Sequence, residues 1–199
     1  MPEQTIYCPM DFRQLPIKEN TVQLVMTDPM YDEKSLGDWA AVGEWAAEVL
    51  RPGGLFFAFT GTMFLPNELE RVGRFLDWVD LFYLKLHQPN LAFAGRSHGI
   101  LKYTKAAVLY SKGRFTSPKV VKNLLQVKYT KPYHVYQLPL KPVMYWMERF
   151  TARGDLVVDP MAGSWTVGIA ARLLHRNFFG ADKEIKCRKI WDDRLRNGD

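Results

Sequence analysis

The chain has 199 residues, of which 47% are hydrophobic, 14% aromatic and 24% charged. That composition supplies one sizeable core and excludes a disordered tail, so a single domain over residues 1–199 is expected. No stretch approaches the roughly 18 consecutive apolar residues of a membrane span, and residues 1–10 lack the basic and apolar regions of an export signal, which predicts a cytoplasmic protein.

The two cysteines, Cys8 and Cys187, lie at opposite ends of the chain, with no second thiol or clustered histidine near either. A disulfide framework and a zinc site are therefore both disfavoured. The sequence also lacks a Gly-x-Ser-x-Gly elbow and a Walker lysine loop, which argues against the common hydrolases.

The net charge of +6 is unevenly distributed along the chain. Residues 81–147 contain eleven Lys and Arg and no Asp or Glu, so this window carries +11 and the rest of the chain −5. A polyanionic partner such as nucleic acid is favoured over an ordinary solvated basic face.

Short apolar runs alternate with segments of helical periodicity. In chain order we predict strand 21–27, helix 35–50, strand 55–60, helix 66–77, helix 140–151, strand 155–159, helix 166–175 and strand 178–181. Strands that alternate with helices imply an α/β fold, a three-layer sandwich with a mostly parallel sheet.

The segment over about residues 88–136 is basic and irregular, and 106–110 is the strong strand candidate inside it. We expect this segment to lie outside the regular sheet, as a small basic insertion that faces the substrate.

The tetrapeptide Asp28-Pro29-Met30-Tyr31 follows the first of these strands directly. It therefore lies at the carboxyl end of that strand, where open parallel sheets bind their ligands. The Asp28 carboxylate and the Pro29 carbonyl are acceptors that can polarise the poorly nucleophilic amine of a nucleobase. Tyr31 offers an aromatic face for a base rotated out of its duplex. The alternative is a plain turn with Asp28 as a helix N-cap.

Residues 157–166 form a strand, a small-residue loop and a helix start, an order typical of nucleotide-binding loops. Gly163 lets the backbone approach a ligand, and Ser164 and Thr166 can cap the helix. The alternative is a tight strand-to-helix turn. Asp182 follows the next strand, where ribose hydroxyls are commonly bound, although it can also cap the next helix.

With the motifs in this order, the chain resembles the S-adenosylmethionine-dependent DNA amino-methyltransferases of the permuted, beta-type arrangement. The family's usual tetrad is Asp-Pro-Pro-Tyr and its usual cofactor loop is Asp-Pro-Phe-Ala-Gly-Ser-Gly-Thr, which Asp28 to Tyr31 and Asp159 to Thr166 resemble. Residues 6–12, 49–54, 107–113 and 134–142 are similar to further family segments. The resemblance implies a Rossmann-like methyltransferase fold with S-adenosylmethionine as cofactor.

The resemblance also implies a reaction and a set of site residues. The expected reaction is methyl transfer to the N6 amine of adenine in double-stranded DNA, with the target base flipped out. Adenine is preferred because the family's N4-cytosine enzymes commonly carry serine at the position of Asp28. By position, Asp28, Pro29 and Tyr31 handle the target base. The residues assigned to the cofactor are Asp11, Phe12, His134, Gln137, Asp159, Gly163, Ser164 and Asp182.

The acid-free window provides the expected contacts with DNA phosphates. The residues assigned to these contacts are Arg96, Lys102, Lys112, Arg114, Lys119, Lys122, Lys128 and Lys131. Relatives often form dimers, so a homodimer is open. The resemblance places the chain in the cytoplasm of a bacterial cell or in a virus-infected host cell.

Three residues depart from the family pattern. Met30 replaces a proline that stiffens the tetrad, and Met161 replaces phenylalanine with little change in apolar volume. Trp165 replaces a glycine, so either its indole points away or the cofactor pocket is altered. If the pocket is blocked, the protein binds DNA or a partner without catalysis. RNA, another amine or cytosine N4 are further alternative substrates.

Overall fold

The computed structural model describes residues 3–30, 32–87, 99–117, 119–128 and 137–197. Their strands are β1 (Gln4–Tyr7), β2 (Val22–Thr27), β3 (Leu50–Thr60), β4 (Asp77–Leu86), β5 (Thr104–Ser111), β6 (Leu124–Val127), β7 (Leu156–Asp159) and β8 (Asn177–Ala181). Their α-helices are α1 (Leu36–Val49), α2 (Leu65–Val72), α3 (Leu140–Phe150), α4 (Thr166–Leu173) and α5 (Lys186–Arg196). No helix in these ranges is long and apolar enough to cross a membrane.

The described strands form one sheet in the order β1-β8-β7-β2-β3-β5-β4-β6. Every pairing is parallel except the two that β5 makes, with β3 and with β4. β5 therefore runs against the other seven strands. The mostly parallel sheet predicted from the sequence is confirmed.

Helices cover both faces of this sheet because side chains alternate along each strand. On β3, Phe57 and Phe59 pack on one face against Trp146 of α3. The preceding Phe56 and the intervening Ala58 belong to the cluster on the other face, which contains Trp39 of α1. Each face thus has its own apolar core, and the sheet lies between two helical layers.

The elements predicted from periodicity are present, with ends shifted by a few residues. The helix predicted over residues 66–77 is the exception, because α2 ends at Val72 and a new strand begins at Asp77. Gly73 follows α2, and its backbone N–H bonds to Leu69 O at 2.9 Å. The strands β4 and β6 were not predicted.

The expected placement of residues 88–136 outside the sheet is wrong for two parts of that segment. β5 lies between β3 and β4 in the sheet, and its residues from Ala106 to Ser111 are buried. β6 adds a further strand beside β4. An apolar strand such as β5 gains most by pairing on both sides, so it joins the sheet. Residues 88–98 and 129–136 lie outside the described ranges.

Candidate active site

Three aspartates singled out in the sequence stand at the ends of neighbouring strands. The strands β8, β7 and β2 are adjacent in the sheet, and Asp182, Asp159 and Asp28 occupy or directly follow their last residues. Neighbouring strands are about 4.8 Å apart, so parallel strands bring these carboxyl groups to one edge. The expectation that the tetrad and the cofactor loop adjoin at the carboxyl edge is confirmed.

Asp28 forms an ion pair with a residue that the sequence analysis did not select. Lys105 Nζ lies 2.5 Å from Asp28 Oδ2, and the two side chains are only 14% and 15% exposed. The other oxygen, Asp28 Oδ1, is buried and has no hydrogen-bond partner among the described residues. One oxygen of this carboxylate is therefore held, while the other is left without a protein donor.

The remainder of the tetrad is anchored through the backbone. The indole Nε1 of Trp39, on α1, donates to Met30 O at 2.9 Å. The Met30 side chain is 56% exposed, whereas Pro29 is buried. The hydrogen bond from Trp39 supplies an external restraint where the family has a stiffening proline. Tyr31 lies outside the described residues.

The alternative interpretation of the tetrad, a turn capped by Asp28, does not describe the chain. The N-cap role belongs to Asp32, whose carboxylate accepts from Ser35 N at 2.9 Å and caps the short 3-10 turn Glu33–Ser35. Asp28 therefore does not act as the cap, and its side chain lies at the sheet edge, paired with Lys105.

Asp159 is the most deeply buried of the three aspartates, with 3% of its surface exposed. Burial, helped by the nearby carboxylates of Asp182 and Asp28, raises the pKa of its carboxyl group to about 8. The hydrogen bond from Met161 N, at 3.2 Å, acts in the opposite direction. Near pH 7 the Asp159 side chain is therefore mostly a neutral acid.

Asp182 connects the loop after β7 with the turn before α5. Its two oxygens accept from Gly163 N and from Glu184 N, each at 2.8 Å. Its backbone carbonyl accepts from Met10 N at 2.8 Å. Asp182 thus joins two candidate cofactor segments, the Gly163 loop through its side chain and the turn at Met10 through its backbone carbonyl. It does not directly cap α5, whose N-cap is Ile185.

Trp165 does not obstruct the cofactor loop. Its side chain is fully buried, and Nε1 donates to Cys187 O at 2.5 Å. The ring packs edge-on against Phe178 and Trp191, with centroids 6.5 and 5.7 Å away. A ring without exposed surface cannot occupy an open pocket, so the indole points away from the ligand side.

The backbone conformation of the loop between β7 and α4 is consistent with the inward position of the Trp165 indole. Trp165 has φ +60 and is itself the N-cap of α4, without a side-chain cap bond. The prediction that Ser164 and Thr166 cap the helix is therefore wrong, because the inward-turned indole requires Trp165 at that position. Gly163 has φ +46, and a Cβ there would meet nothing within 4 Å, so open space lies beside it.

A buried arginine of the last helix fixes the same loop. Arg194 is 1% exposed and donates to Ser164 O and Thr166 Oγ1, both at 2.9 Å. Thr166 Oγ1 also lies 3.4 Å from Leu138 O, which brings the segment that precedes α3 beside α4. No local sequence signal marks Arg194, since its partners are about 30 residues away in sequence.

The remaining cofactor candidates differ in their surroundings. Asp11 accepts from Arg13 N at 2.9 Å and pairs with Lys183 at 3.1 Å. Burial would raise the pKa of Asp11, but these hydrogen bonds and cations outweigh it, so the pKa is lowered. Phe12 is 1% exposed and packs on Trp45 of α1, with centroids 5.5 Å apart.

Two further cofactor candidates come from the segment that precedes α3. Gln137 is 5% exposed and so lies almost entirely within the fold. His134 lies outside the described residues.

A second buried acid lies beside the site. Glu68 of α2 is 1% exposed and accepts a hydrogen bond from the hydroxyl of Thr60, at the end of β3. Burial raises the pKa of Glu68 to about 7, although the Thr60 hydrogen bond opposes that shift. Glu68 Oε1 has no hydrogen-bond partner within the described ranges.

The expected DNA-contact residues divide between opposite edges of the sheet. Lys102 precedes the antiparallel strand β5 and Lys128 follows β6, so both lie at the carboxyl edge with Asp28. The residues that follow β5 or precede β6 lie towards the amino edge: Lys112, Arg114, Lys119 and Lys122. The structure does not bring these four together with Asp28. Arg96 and Lys131 lie outside the described residues.

The amino-edge cations have local partners. A cavity of about 770 Å³ opens at this edge, and Arg51, Arg114 and Lys119 are among its lining residues. The ends of α1 and α3 lie here, where unpaired carbonyls favour cations. Lys112 Nζ lies 3.4 Å from Glu48 O near the end of α1, and Lys119 Nζ lies 3.4 Å from a carbonyl near the end of α3. Helix capping accounts for both lysines.

Comparison with known proteins connects this site to DNA methylation. The profile of the N6_N4_Mtase family, described as DNA methylase, matches residues 102–192. The type II methyltransferase M.HindIII of Haemophilus influenzae is 41% identical over 76 residues, which span 37% of this chain but only 25% of that protein. The type II methyltransferase M.HpaI of Haemophilus parainfluenzae is 22% identical over 233 aligned positions, which cover 97% of this chain and 74% of that protein.

Two solved structures share the fold. The M1.HpyAVI-SAM complex has a TM-score of 0.76 at 23% identity and covers 98% of this chain and 100% of that chain. The PvuII DNA methyltransferase, titled cytosine-N4-specific, has a TM-score of 0.75 at 18% identity and covers 98% of this chain and 93% of that chain. The Rossmann-like methyltransferase fold expected from the sequence is therefore confirmed.

The chain has the Rossmann-like methyltransferase fold, and the tetrad meets the candidate cofactor loop at the carboxyl edge of its sheet. The matching profile is that of the N6_N4_Mtase family, the sequence relatives are type II methyltransferases and the structural neighbours share the fold, so all three comparisons point to DNA methyltransferases.

Proposed function

We propose that this protein transfers a methyl group from S-adenosylmethionine to an exocyclic amine of a base in DNA, with N6 of adenine as the target. One observation carries the proposal: Asp28, whose Oδ1 has no hydrogen-bond partner among the described residues, lies at the same sheet edge as the loop that contains Gly163. An acceptor for an amine and a candidate binding loop for a methyl donor are thus neighbours.

The residues of the cofactor side fit an adenosyl group. Open space lies beside Gly163, so a ligand can approach the loop backbone. Asp182 is the candidate for the ribose hydroxyls, since a carboxylate that already accepts two backbone N–H groups has lone pairs for further donors. Asp11 is the candidate beside the adenine. The inward Trp165 removes the main argument for a protein without catalysis.

The residues of the acceptor side fit a flipped base. When bound, the cofactor offers a methyl group on a positively charged sulfur, and the amine nitrogen must present its lone pair to that carbon. Asp28 Oδ1 and the Pro29 carbonyl accept hydrogen bonds from the two amine N–H groups, which draws the nitrogen towards tetrahedral geometry. Tyr31 stacks on the base and replaces part of the stacking energy lost on flipping.

The choice of adenine depends on Asp28 and on the resemblance stated above. A structural neighbour titled cytosine-N4-specific makes N4 of cytosine the competing target. Both amines are planar and donate two hydrogen bonds, so the same acceptors serve either one. Identification of the methylated nucleoside separates the two.

DNA is the proposed partner, held at the carboxyl edge by Lys102 and Lys128 and by the assigned Arg96 and Lys131. Their contacts with phosphates are independent of sequence and weaken with salt. We place the reaction in the cytoplasm of a bacterial cell, where S-adenosylmethionine and DNA meet.

Two measurements on the full chain test the proposal. Calorimetric titration with S-adenosylmethionine is expected to show micromolar binding. Incubation with methyl-labelled cofactor and unmethylated genomic DNA, followed by nucleoside mass spectrometry, is expected to yield N6-methyladenine. N4-methylcytosine would correct the target base, and absence of cofactor binding with and without DNA would overturn the proposal.

A further inference from the structure

We infer that Lys105 is a positioning residue for the proposed methyl transfer, which fixes the Asp28 carboxylate so that Oδ1 faces the target amine. The inference rests on the proposed function of the same site. Its basis is the ion pair in which Lys105 Nζ lies 2.5 Å from Asp28 Oδ2.

The direction of β5 brings Lys105 to this place. Lys105 is the second residue of β5, and β5 runs antiparallel to β3, so its first residues lie at the carboxyl edge of the parallel strands. A parallel strand would carry the same residue to the amino edge. The lysine thus approaches Asp28 from two strands away in the sheet, across the end of β3.

Burial makes this contact more than a surface ion pair. Both side chains are about 15% exposed, and Lys105 Nζ lies 5.4 Å from the centre of the Phe59 ring. An exposed ion pair contributes little because both side chains remain mobile and hydrated. A pair held against an aromatic ring in a confined position has fewer alternative arrangements. Lys105 therefore restricts the rotation of the Asp28 carboxylate.

The two carboxylate oxygens of Asp28 consequently have different roles. Oδ2 is taken by Lys105, while Oδ1 is buried without a hydrogen-bond partner among the described residues. A buried acceptor without a donor is costly, and the amine of an incoming base is a suitable donor. Without Lys105 the carboxylate can turn, and the oxygen that faces the amine is no longer fixed.

Lys105 also has an electrostatic role, because another carboxylate lies near Asp28. Asp182 and Asp159 stand at the ends of the next strands, and the Asp28 and Asp182 carboxylates act electrostatically on Asp159. Because Asp159 is mostly neutral near pH 7, the like charge at this edge is that of Asp182, which repels the Asp28 carboxylate. The ammonium group of Lys105 offsets that repulsion at Asp28, which keeps the side chain from turning towards solvent.

The experiment compares Lys105→Met, which retains the length of the side chain without its charge, with Lys105→Arg. Each variant of the full chain is titrated with S-adenosylmethionine, and its kcat and KM are measured with unmethylated genomic DNA. Lys18→Met, at a lysine outside the site, controls for the loss of one positive charge. We expect Lys105→Met to bind the cofactor like the unmodified chain and to lose about 100-fold in kcat with little change in KM.

Three results decide the inference. Partial recovery of kcat in Lys105→Arg supports positioning by a cation, because a purely structural role does not depend on the charge. A kcat for Lys105→Met within about threefold of the unmodified chain overturns the inference and leaves the proposed function intact. A loss confined to KM and abolished at low salt also overturns it, since it indicates a phosphate contact.

The double variant Asp28→Asn, Lys105→Met adds a further condition. If Lys105 acts only through Asp28, the double variant is no slower than Asp28→Asn alone. Additive losses in kcat would contradict that dependence. An unmodified chain that neither binds S-adenosylmethionine nor methylates DNA overturns the proposed function, and the role given to Lys105 with it.

Discussion

The ring of Trp165 lies against Gly180, so closely that a Cβ at position 180 would come within 2.7 Å of it. The glycine on β8 therefore creates the space into which the indole turns. This contact explains how a bulky residue is accommodated in a loop where the family has glycine, since the added volume goes into the core and not into the ligand side.

Substitution of Trp165 tests that arrangement. Trp165→Gly removes a fully buried ring and its hydrogen bond to Cys187, so we expect a loss of about 3 to 5 kcal/mol in the free energy of unfolding. Cofactor affinity should not rise, because the ring does not line the ligand side. Urea unfolding and calorimetric titration measure the two effects. Tighter cofactor binding in Trp165→Gly would show that the indole intrudes after all.

Asp28→Ala tests the proposed acceptor. The substitution removes both carboxylate oxygens from a position outside the main apolar clusters, so methyl transfer should be abolished while S-adenosylmethionine binding is preserved. Labelled methyl transfer and calorimetry provide the measurements. Asp32→Ala, which removes only the cap of a short turn, is the matched control. Unchanged turnover in Asp28→Ala would exclude the proposed mechanism.

Trp39→Phe tests the restraint on the tetrad. Phenylalanine keeps an aromatic ring in the core but cannot donate to Met30 O, so the loop loses one fixed point. A hydrogen bond of this kind is worth about 1 kcal/mol, and we expect kcat to fall about tenfold with cofactor affinity unchanged. Trp45→Phe, on the same helix, controls for the smaller ring. Equal effects of the two substitutions would assign the loss to packing alone.

Asp159 makes stability depend on pH. The pKa of Asp159 is about 8 in the folded chain, against a reference value of 3.8 for an exposed aspartate. Between pH 3.8 and about 8, the folded chain therefore keeps Asp159 protonated, whereas the unfolded chain does not. The stabilisation is present below pH about 4 and is lost as pH rises towards about 8, by at most about 1.4 kcal/mol per pH unit.

Unfolding by urea at several pH values measures this dependence. Asp159→Asn should flatten the decline, leaving the part that belongs to Glu68, whose pKa is about 7. Asp192→Asn, at an exposed position of α5, is the control and should leave the slope unchanged. A slope in Asp159→Asn equal to that of the unmodified chain would contradict the buried neutral acid.

Arg194 connects the last helix to the cofactor loop. Arg194→Met should leave Ser164 O and Thr166 Oγ1 without this donor and lower the free energy of unfolding by about 3 kcal/mol. The loosened loop should also bind S-adenosylmethionine more weakly. Calorimetry at a temperature where both proteins are folded measures this, with the exposed Arg196→Met as control. Unchanged stability would exclude Arg194 as the anchor of the loop.

Much of the site could be predicted because its signals are local. A compact apolar run followed by Asp28 or by Asp159 places each carboxyl group at a strand end, and parallel strands collect such ends at one edge. Tyr31 and His134 remain predictions, since they lie outside the described residues. Trp39 was missed because its spacing marks it as a core residue of α1, although it lies only nine residues from Met30. Arg194 was missed because it donates to a loop about 30 residues away, which leaves no local pattern in the sequence.

By itself, the sequence determined the alternation of strands and helices, the order of the two motifs and the resemblance to a methyltransferase family, because periodicity and motif spacing are properties of neighbouring residues. Only the tertiary structure decided the direction of β5, which places Lys105 beside Asp28 and carries Lys112 to the opposite edge. It also decided that Trp165 turns inward against Gly180. Both depend on contacts between residues distant in the chain, where sheet pairing and core packing, and not local preference, select the arrangement.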